Sequence, residues 1–186
     1  MRKHVLTGGP SVGKTTLLRE LKKQRFSTLE ETARDLILQE KQKQEFNPSY
    51  EPKLPTTHPY EFEVALYDCQ KHQELHLPNK DIILDRSLVD IIAYSDYLGI
   101  VLPRDLKNDV RNANYSTIFL LDQLDLFEKD NVRFENASEA KVLHGLIENT
   151  YNKFGFDVVN VPNIGVQPRA EFVANYINKY ALQRVV

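Results

Sequence analysis

The stretch LTGGPSVGKTTLLREL, residues 6–21, decides how the rest of the chain is interpreted. From Gly8 to Thr15 it fits the pattern G-x-x-x-x-G-K-[S/T] in full. A short apolar run precedes the pattern and an amphipathic run with leucines at helical spacing follows it, which predicts a strand, a turn and a helix. A chance match in a chain of this length is on the order of one in a hundred, because glycine makes up roughly 7% of residues in proteins. The stretch therefore predicts a loop that binds the phosphates of a nucleoside triphosphate.

Each residue type in this loop has a physical role. Gly8 and Gly13 allow the backbone to turn its amide hydrogens toward an anion, and the helix that begins at Lys14 adds the positive end of its dipole. Lys14 supplies a mobile cation for the β- and γ-phosphates, and the Thr15 hydroxyl is a ligand for Mg²⁺. The predicted cofactors are ATP and Mg²⁺. The predicted nucleotide-binding residues are Gly8, Gly9, Pro10, Ser11, Val12, Gly13, Lys14, Thr15 and Thr16.

Short apolar runs alternate with longer helical patterns along the chain. The apolar runs predict strands at residues 4–7, 26–29, 81–85, 116–122 and 156–162. The helical patterns cover residues 14–23, 31–43, 60–76, 87–98, 102–112, 137–154 and 171–182. Four prolines between residues 45 and 60 predict a loop or flap there. The alternation predicts an α/β fold of the P-loop NTPase kind, with about five parallel strands flanked by helices, as a single domain over residues 1–186.

Composition and charge exclude several classes of protein. The formal net charge is −2, so no global field draws the chain to nucleic acid or to a membrane surface. No apolar run is long enough to span a bilayer, and no basic stripe interleaves with the aromatic residues, as it would in a protein that stacks on nucleic-acid bases. We expect neither a nucleic-acid partner nor a membrane span. The single Cys69 cannot form an internal disulfide, which fits a cytoplasmic location.

A second candidate site lies in DIILDRSLVD, residues 81–90. Asp85 ends the predicted third strand, at the edge of the sheet where ligands of open α/β folds bind. Its carboxylate can hold Mg²⁺ or take a proton from an acceptor hydroxyl, and the planar fork of Arg86 can bind phosphate oxygens. A helix cap at Asp85 or Ser87 is the alternative interpretation, and it is compatible with a site.

Two weaker patterns add further candidates. Glu30 and Glu31 follow the second predicted strand, where one carboxylate can hold or deprotonate an acceptor hydroxyl; acidic residues also favour the first turn of any helix. The charged segment 122–138 can close over the phosphates and bring Arg133 to the transferring group. A solvated charged loop is the alternative for that segment.

Other proteins with this loop have features that the chain lacks. A mechanical ATPase usually pairs the strand-end aspartate with an adjacent glutamate, but Arg86 follows here. A guanine-specific switch would show Asn-Lys-x-Asp late in the chain, and the Asn-Lys pairs at residues 79, 152 and 178 all lack that aspartate. These differences favour a kinase over a motor or a switch.

The order of these elements resembles the small P-loop ATPase-domain family related to the nicotinamide-riboside kinase domain of the bifunctional NAD regulator. The resemblance rests on the phosphate loop, on residues 31–34, 85–90 and 130–133, and on Tyr151, Gly155, Val158, Val159, Val161, Pro162 and Arg169. The Asp-Arg-Ser element at residues 85–87 also resembles the Glu/Asp-Arg-Ser/Tyr element of deoxynucleoside and thymidylate kinases, in which the arginine meets phosphates. The resemblance implies a kinase-like fold and nucleotide chemistry.

The predicted activity is Mg²⁺-dependent phosphoryl transfer from ATP to a small hydroxyl or phosphate acceptor, such as a nucleoside or nucleotide. The catalytic candidates are Lys14, Glu31, Asp85, Arg86 and Arg133, and the metal ligands are Thr15 and Asp85. The alternative is a nucleotide-dependent regulatory module, an ATPase or GTPase-like protein that hydrolyses slowly and acts through a protein partner.

Overall fold

The computed structural model describes residues 1–124 and 136–182. In these ranges the strands are β1 Lys3–Thr7, β2 Ser27–Leu29, β3 Ile82–Asp85, β4 Tyr115–Leu121 and β5 Val158–Val161. The helices are α1 Lys14–Lys23, α2 Thr32–Phe46, α3 Pro59–Leu75, α4 Leu88–Leu98, α5 Arg104–Asn112, α6 Ala137–Lys153 and α7 Val166–Leu182. No helix in the described ranges is both long enough and apolar enough to cross a membrane.

The five strands form one parallel sheet in the order β2-β3-β1-β4-β5. The chain begins in the middle strand, adds β2 and β3 on one side, and then adds β4 and β5 on the other. Leu6 of β1 pairs with Asp85 of β3. The loop after β1 and the end of β3 therefore lie at the same edge of the sheet, the one formed by the carboxyl ends of the strands. Ligands of open α/β sheets bind at this edge, where the strand order reverses. The predicted α/β P-loop fold is confirmed.

Alternating residues of the central strands face two separate helical layers. Val5 and Leu84 belong to one buried cluster, together with apolar side chains of α3, α4, α5 and α6. Leu6 and Ile83 belong to the other, which α1 and α7 complete. Because each of these side chains is almost fully buried, each contributes about 1.5–3 kcal/mol by leaving water. This two-sided core fixes the register of β1 and β3, and therefore the position of the loops at their ends.

Two helix boundaries differ from the sequence prediction by three residues or more. Helix α2 runs to Phe46, three residues further than predicted, and ends before Asn47; Pro48 disfavours helical backbone at the residue that precedes it. Helix α7 begins at Val166, five residues earlier than predicted. This start is compatible with Pro168, which lies in the first turn, where its missing N–H has no helical partner to lose.

Candidate nucleotide-binding and catalytic site

The loop between β1 and α1 has the backbone that its glycines predict. Gly8 has a φ of 132° and Gly13 a φ of 87°, values that residues with a side chain rarely adopt. Gly13 is the N-cap residue of α1, and no side chain in the described ranges caps this helix. The first-turn amide groups of α1 are therefore available to an anion, as the sequence motif predicts.

Helix α6 packs directly against this loop at Gly9. A Cβ on Gly9 would lie 2.6 Å from the carbonyl oxygen of Ala140 and 3.2 Å from the Cβ of His144. The Gly9 amide donates a hydrogen bond to Nδ1 of His144 at 3.2 Å. The close approach of α6 therefore requires glycine at position 9. The motif allows any residue at this position, so the motif alone does not indicate the requirement.

We expect Gly9→Ala to lower the free energy of unfolding by about 1–3 kcal/mol, because the new methyl group forces α6 or the loop to shift. Gly145→Ala is the matched control, since a Cβ at Gly145 on the same helix meets nothing within 4 Å. That control should be neutral or stabilising by about 0.5–1 kcal/mol, as for other helical glycines. Urea unfolding measures both changes, and equal stabilities for the two variants would contradict the close approach.

Lys14 is buried at the start of α1. Its Nζ donates to the carbonyl oxygens of Gly8 and Gly9 at 3.3 and 3.1 Å. Burial and the charge of Arg86 lower the pKa of Lys14 to about 8, although the nearby carboxylates oppose this shift. The side chain thus remains largely protonated at neutral pH. The turn of the phosphate loop therefore surrounds a positively charged ammonium group.

Asp85 ends β3 with both carboxylate oxygens buried and without a hydrogen-bond partner in the described ranges. Burial and the charge of Glu31 raise the pKa of Asp85 to about 7, against the opposing charges of Lys14 and Arg86. Thr15 lines the same cavity as Asp85. Carboxylate and hydroxyl oxygens are ligands that Mg²⁺ prefers, so these two residues fit the predicted metal. The described residues contain no group of three or more His, Cys, Asp or Glu that could hold a metal ion, so phosphate and water oxygens would complete its shell.

Arg86 connects the ends of three strands. Its Nε donates to Glu31 at 2.8 Å, and its Nη1 donates to Asp90 at 3.0 Å and to the carbonyl oxygen of Gly8 at 3.2 Å. The guanidinium carbon lies 5.1 Å from the centroid of the Tyr94 ring. The backbone of Arg86 has a φ of 70°, a strained value that persists only where surrounding contacts hold it. The predicted phosphate-binding arginine is therefore fixed in place at the edge of the loop.

Asp90 stabilises this arrangement through the hydrogen bonds that its carboxylate accepts. Its carboxylate accepts from the Thr7 hydroxyl at 2.6 Å, from the Ser87 amide at 3.0 Å and from the Tyr151 hydroxyl. Ser87 and Asp90 form the capping box that begins α4, so the helix cap expected near Ser87 is present. Asp90 was not among the predicted site residues, and its partners at residues 7 and 151 are too distant in sequence to be inferred.

Glu31 is the N-cap residue of α2 and lines the cavity beside Asp85. Burial alone would raise the pKa of Glu31, but the positive charges of Arg86 and Lys14 outweigh burial and lower it. Glu31 is therefore ionised at neutral pH. The sequence prediction placed Glu31, Asp85, Arg86 and Lys14 at one edge of the sheet. In the structure Arg86 pairs with Glu31, and all four residues line the same cavity.

A cavity of about 430 Å³ extends from the phosphate loop between α2, α3 and α4. Pro55 and Pro59 of the proline-rich segment line it, as do the apolar side chains of Ile37, Phe62 and Leu66. One end of the cavity is therefore charged and the other is largely apolar. This shape suits a small molecule with a polar group at the loop and a flat or apolar body between the helices.

Glu63 is a polar residue in the apolar end that the sequence interpretation missed. It is 2% exposed, and its Oε2 has no hydrogen-bond partner within the described ranges. Burial raises the pKa of Glu63 to about 8, against the opposing charge of Arg86. The available signal was an acidic residue adjacent to Phe62 in the core stripe of α3, where a charge is not expected.

Arg169 is a second residue whose place the sequence does not predict by itself. Its guanidinium donates to the carbonyl oxygens of Val12, Asp122 and Pro162, each at 2.8 Å. These bonds tie the phosphate loop to the loops that follow β4 and β5. The resemblance to known kinases included Arg169 without assigning it a role.

Two predicted residues are not part of the site as the described residues form it. Arg133 lies outside the described residues, as does most of the predicted lid segment. Thr16 is exposed on α1 and is not one of the residues that line the cavity.

The fold and this edge of the sheet define a P-loop nucleotide-binding protein with a kinase-like architecture. A family model described as an AAA domain matches residues 3–169, and the chain belongs to that family. No curated protein sequence matches the chain.

Solved structures of kinases share the fold at low sequence identity. A deoxyadenosine kinase from M. mycoides, solved with dCMP and dCDP, has a TM-score of 0.63 and 15% identity, covering 96% of this chain and 99% of that one. The NadR protein in complex with NR has a TM-score of 0.67 and 16% identity, covering 96% of this chain and 50% of that one. The thymidylate kinase from Ehrlichia chaffeensis has a TM-score of 0.63 and 12% identity, covering 95% and 98% of the two chains.

Proposed function

We propose that the chain is a kinase that transfers a phosphoryl group from ATP to a small acceptor bound in the 430 Å³ cavity. The observation that carries this proposal is the shape of the cavity, which joins the phosphate loop to an apolar space between α2, α3 and α4. A protein that only hydrolyses nucleotide needs room for water beside the phosphates. A cavity of this size has room for a second organic molecule.

The charged end of the cavity supplies groups for the transferring phosphoryl group. Lys14 and Arg86 stabilise the charge on the phosphate oxygens, and the first-turn amides of α1 bind the same anion. Thr15 and Asp85 would hold Mg²⁺, which neutralises charge on the phosphates and orients them. We include Arg133 as a further cation for the transition state, on the basis of the sequence alone.

The two carboxylates beside the loop have different proposed roles. Neither carboxylate oxygen of Asp85 has a hydrogen-bond partner among the described residues, and Asp85 lies in the same cavity as Thr15, which suits a metal ligand. Glu31 is ionised and begins α2, whose first two turns line the acceptor side of the cavity. An ionised carboxylate in that position can accept a proton from an acceptor hydroxyl. We therefore assign proton transfer to Glu31 and metal binding to Asp85.

The apolar end favours an acceptor with a flat ring. Phe62, Leu66 and Ile37 provide the apolar walls, and Glu63 provides a buried carboxyl group between them. A nucleoside has a hydroxyl group for the charged end and a ring with N–H groups for the apolar end. The kinase neighbours act on or bind molecules of this kind, which supports a nucleoside or nucleotide acceptor. A cytoplasmic location belongs to the same proposal.

A screen of small acceptors for stimulation of ADP release tests the proposal. The panel contains deoxynucleosides, nucleoside monophosphates and nicotinamide riboside, each with ATP and Mg²⁺. We expect at least one compound to raise ADP release well above the rate without acceptor. Slow ADP release that no compound stimulates would contradict the kinase proposal and support a regulatory ATPase that acts through a protein partner.

We expect Glu63→Leu to raise the KM for the acceptor by about tenfold while the affinity for ATP stays unchanged, because the substitution removes the buried carboxyl group and one lost hydrogen bond to a charged or buried partner is worth roughly 1.5 kcal/mol. Glu61→Leu is the control, since Glu61 is exposed on the same helix. Steady-state kinetics with the acceptor found in the screen give both values. An unchanged KM would mean that Glu63 does not contact the acceptor.

A further inference from the structure

The peptide group between Gly8 and Gly9 is held from both sides. Its carbonyl oxygen accepts from Lys14 Nζ at 3.3 Å and from Arg86 Nη1 at 3.2 Å. Its amide, which belongs to Gly9, donates to His144 Nδ1 at 3.2 Å. One peptide group therefore links the two cations of the proposed site to a histidine on α6.

Peptides between two glycines rotate more easily than others. Neither Gly8 nor Gly9 has a Cβ, so the usual steric limits on the backbone dihedrals at both sides of this peptide are absent. Its orientation then depends on the hydrogen bonds of its carbonyl and its amide. His144 is the partner of the amide side, because α6 approaches Gly9 so closely at Ala140.

The hydrogen bond fixes the protonation state of His144. Nδ1 can accept the Gly9 amide only when it carries no proton, so the ring is neutral with its proton on Nε2. Burial lowers the pKa of His144 below its ordinary value, and the charge of Lys14 lowers it further. Glu148 on α6 and Asp122 after β4 oppose this shift. The surroundings of the ring therefore favour the form that can accept the bond.

We propose that His144 is a positioning residue for the phosphate loop. By accepting the Gly9 amide, its neutral ring holds the Gly8 carbonyl toward Lys14 and Arg86, and so keeps both cations where the phosphates bind. This inference rests on nucleotide binding at the loop, and it adds a residue 135 positions away that no motif contains.

A protonated His144 cannot accept the hydrogen bond from the Gly9 amide. Both ring nitrogens then carry hydrogen, and the Gly9 amide faces a donor instead of an acceptor. The amide side of the peptide then has lost its acceptor, and only the hydrogen bonds from Lys14 and Arg86 to the carbonyl still orient it, so the loop and the two cations are positioned less firmly. The affinity for nucleotide should therefore fall as the pH drops below the ordinary pKa of histidine, about 6.5.

Two variants separate this role from packing. Asn has an oxygen bonded to Cγ, as His144 has Nδ1, so His144→Asn keeps an acceptor near the same place and does not titrate. His144→Leu keeps apolar bulk and removes the acceptor. Isothermal titration with ADP from pH 7.5 to pH 5.0 measures affinity, and thermal unfolding at each pH checks that the proteins are folded.

At pH 7.5 we expect His144→Leu to bind ADP about five- to tenfold more weakly than the parent, the effect of one lost hydrogen bond. His144→Asn should bind within about twofold of the parent at that pH, since it keeps the acceptor. Below pH 6.5 the parent should lose affinity faster than His144→Asn. The comparison between them removes the titration of ADP itself, which is common to both. The exposed His76→Asn should follow the parent throughout.

Other outcomes would overturn the inference. Parent-like affinity in a folded His144→Leu protein would mean that the hydrogen bond does not position the loop. The same pH dependence in His144→Asn and the parent would also contradict it, and this comparison stands even if His144→Leu does not fold. An absence of ADP binding by the parent itself would instead remove the proposed nucleotide site.

Discussion

Lys14→Ala should lower the affinity for ATP by about a hundredfold or more and leave the protein folded. Two hydrogen bonds from a charged ammonium to phosphate are together worth about 3 kcal/mol or more, which is about a hundredfold in affinity. The hydrogen-bond partners of Lys14 without nucleotide are two carbonyl oxygens of the loop. The substitution therefore leaves both apolar clusters of the core unchanged.

Calorimetric titration with ATP measures this change, and circular dichroism checks the fold. Lys22→Ala is the matched control, because Lys22 lies on the same helix with its ammonium exposed and paired with Glu30. Surface ion pairs of this kind contribute little to stability. A folded Lys14→Ala protein with parent-like ATP affinity would remove the loop from nucleotide binding.

Asp85→Asn should reduce turnover by a factor of about ten or more without weakening ATP binding in the absence of Mg²⁺. Asparagine keeps the shape of the side chain and removes the charge that would hold the metal, an effect on the scale of lost metal or acid–base assistance. The stability of Asp85→Asn, unlike its turnover, should stay the same or increase. The raised pKa of Asp85, about 7, means that its ionisation in the folded state has a cost.

Proton binding determines how this cost changes the stability of the protein with pH. Because the pKa in the folded state exceeds the ordinary value near 4, the folded protein binds more protons, and stability declines as the pH rises from about 4 to about 7. Asp85→Asn removes this decline, so at pH 8 the variant should unfold at the same temperature as the parent or higher. Lower stability with normal turnover would make Asp85 a structural residue.

Asp81→Asn is the control for this experiment. Asp81 lies just before the other end of β3 and pairs with Arg2 on the far edge of the sheet. Its substitution removes an ionised carboxylate from the same strand region without touching the cavity. Turnover should be unaffected, whereas a loss similar to that of Asp85→Asn would mean that charge alone, and not its position, matters.

The sequence predicts the parts of this site that depend on strand ends. Gly8, Glu31 and Asp85 each follow an apolar run, and parallel strands bring their carboxyl ends to one edge. This rule alone is enough to predict that Lys14, Glu31, Asp85 and Arg86 lie close together. Local patterns also predict the strands and helices, except for the exact end of α2 and the start of α7, where Pro168 lies in the first turn.

The sequence does not predict the parts that depend on how helices pack. His144 reaches Gly9 only because α6 lies against the loop, and the two residues are 135 positions apart. Glu63 is buried because α3 turns it inward, whereas Glu61, two residues earlier on the same helix, is exposed. A single sequence contains local periodicity, but the pairing of helix faces depends on the whole folded core.

The bonds of Arg169 to Val12, Asp122 and Pro162 have a consequence for the order of synthesis. The phosphate loop leaves the ribosome before the rest of the site, and the arginine that holds its Val12 carbonyl follows 157 residues later. The neighbours of β1 in the sheet, β3 and β4, also emerge after it. A nascent chain therefore carries the nucleotide motif long before it has the contacts that shape it. Nucleotide binding should begin only once Arg169 has left the ribosome, and ATP would then favour the finished fold over its unfinished forms.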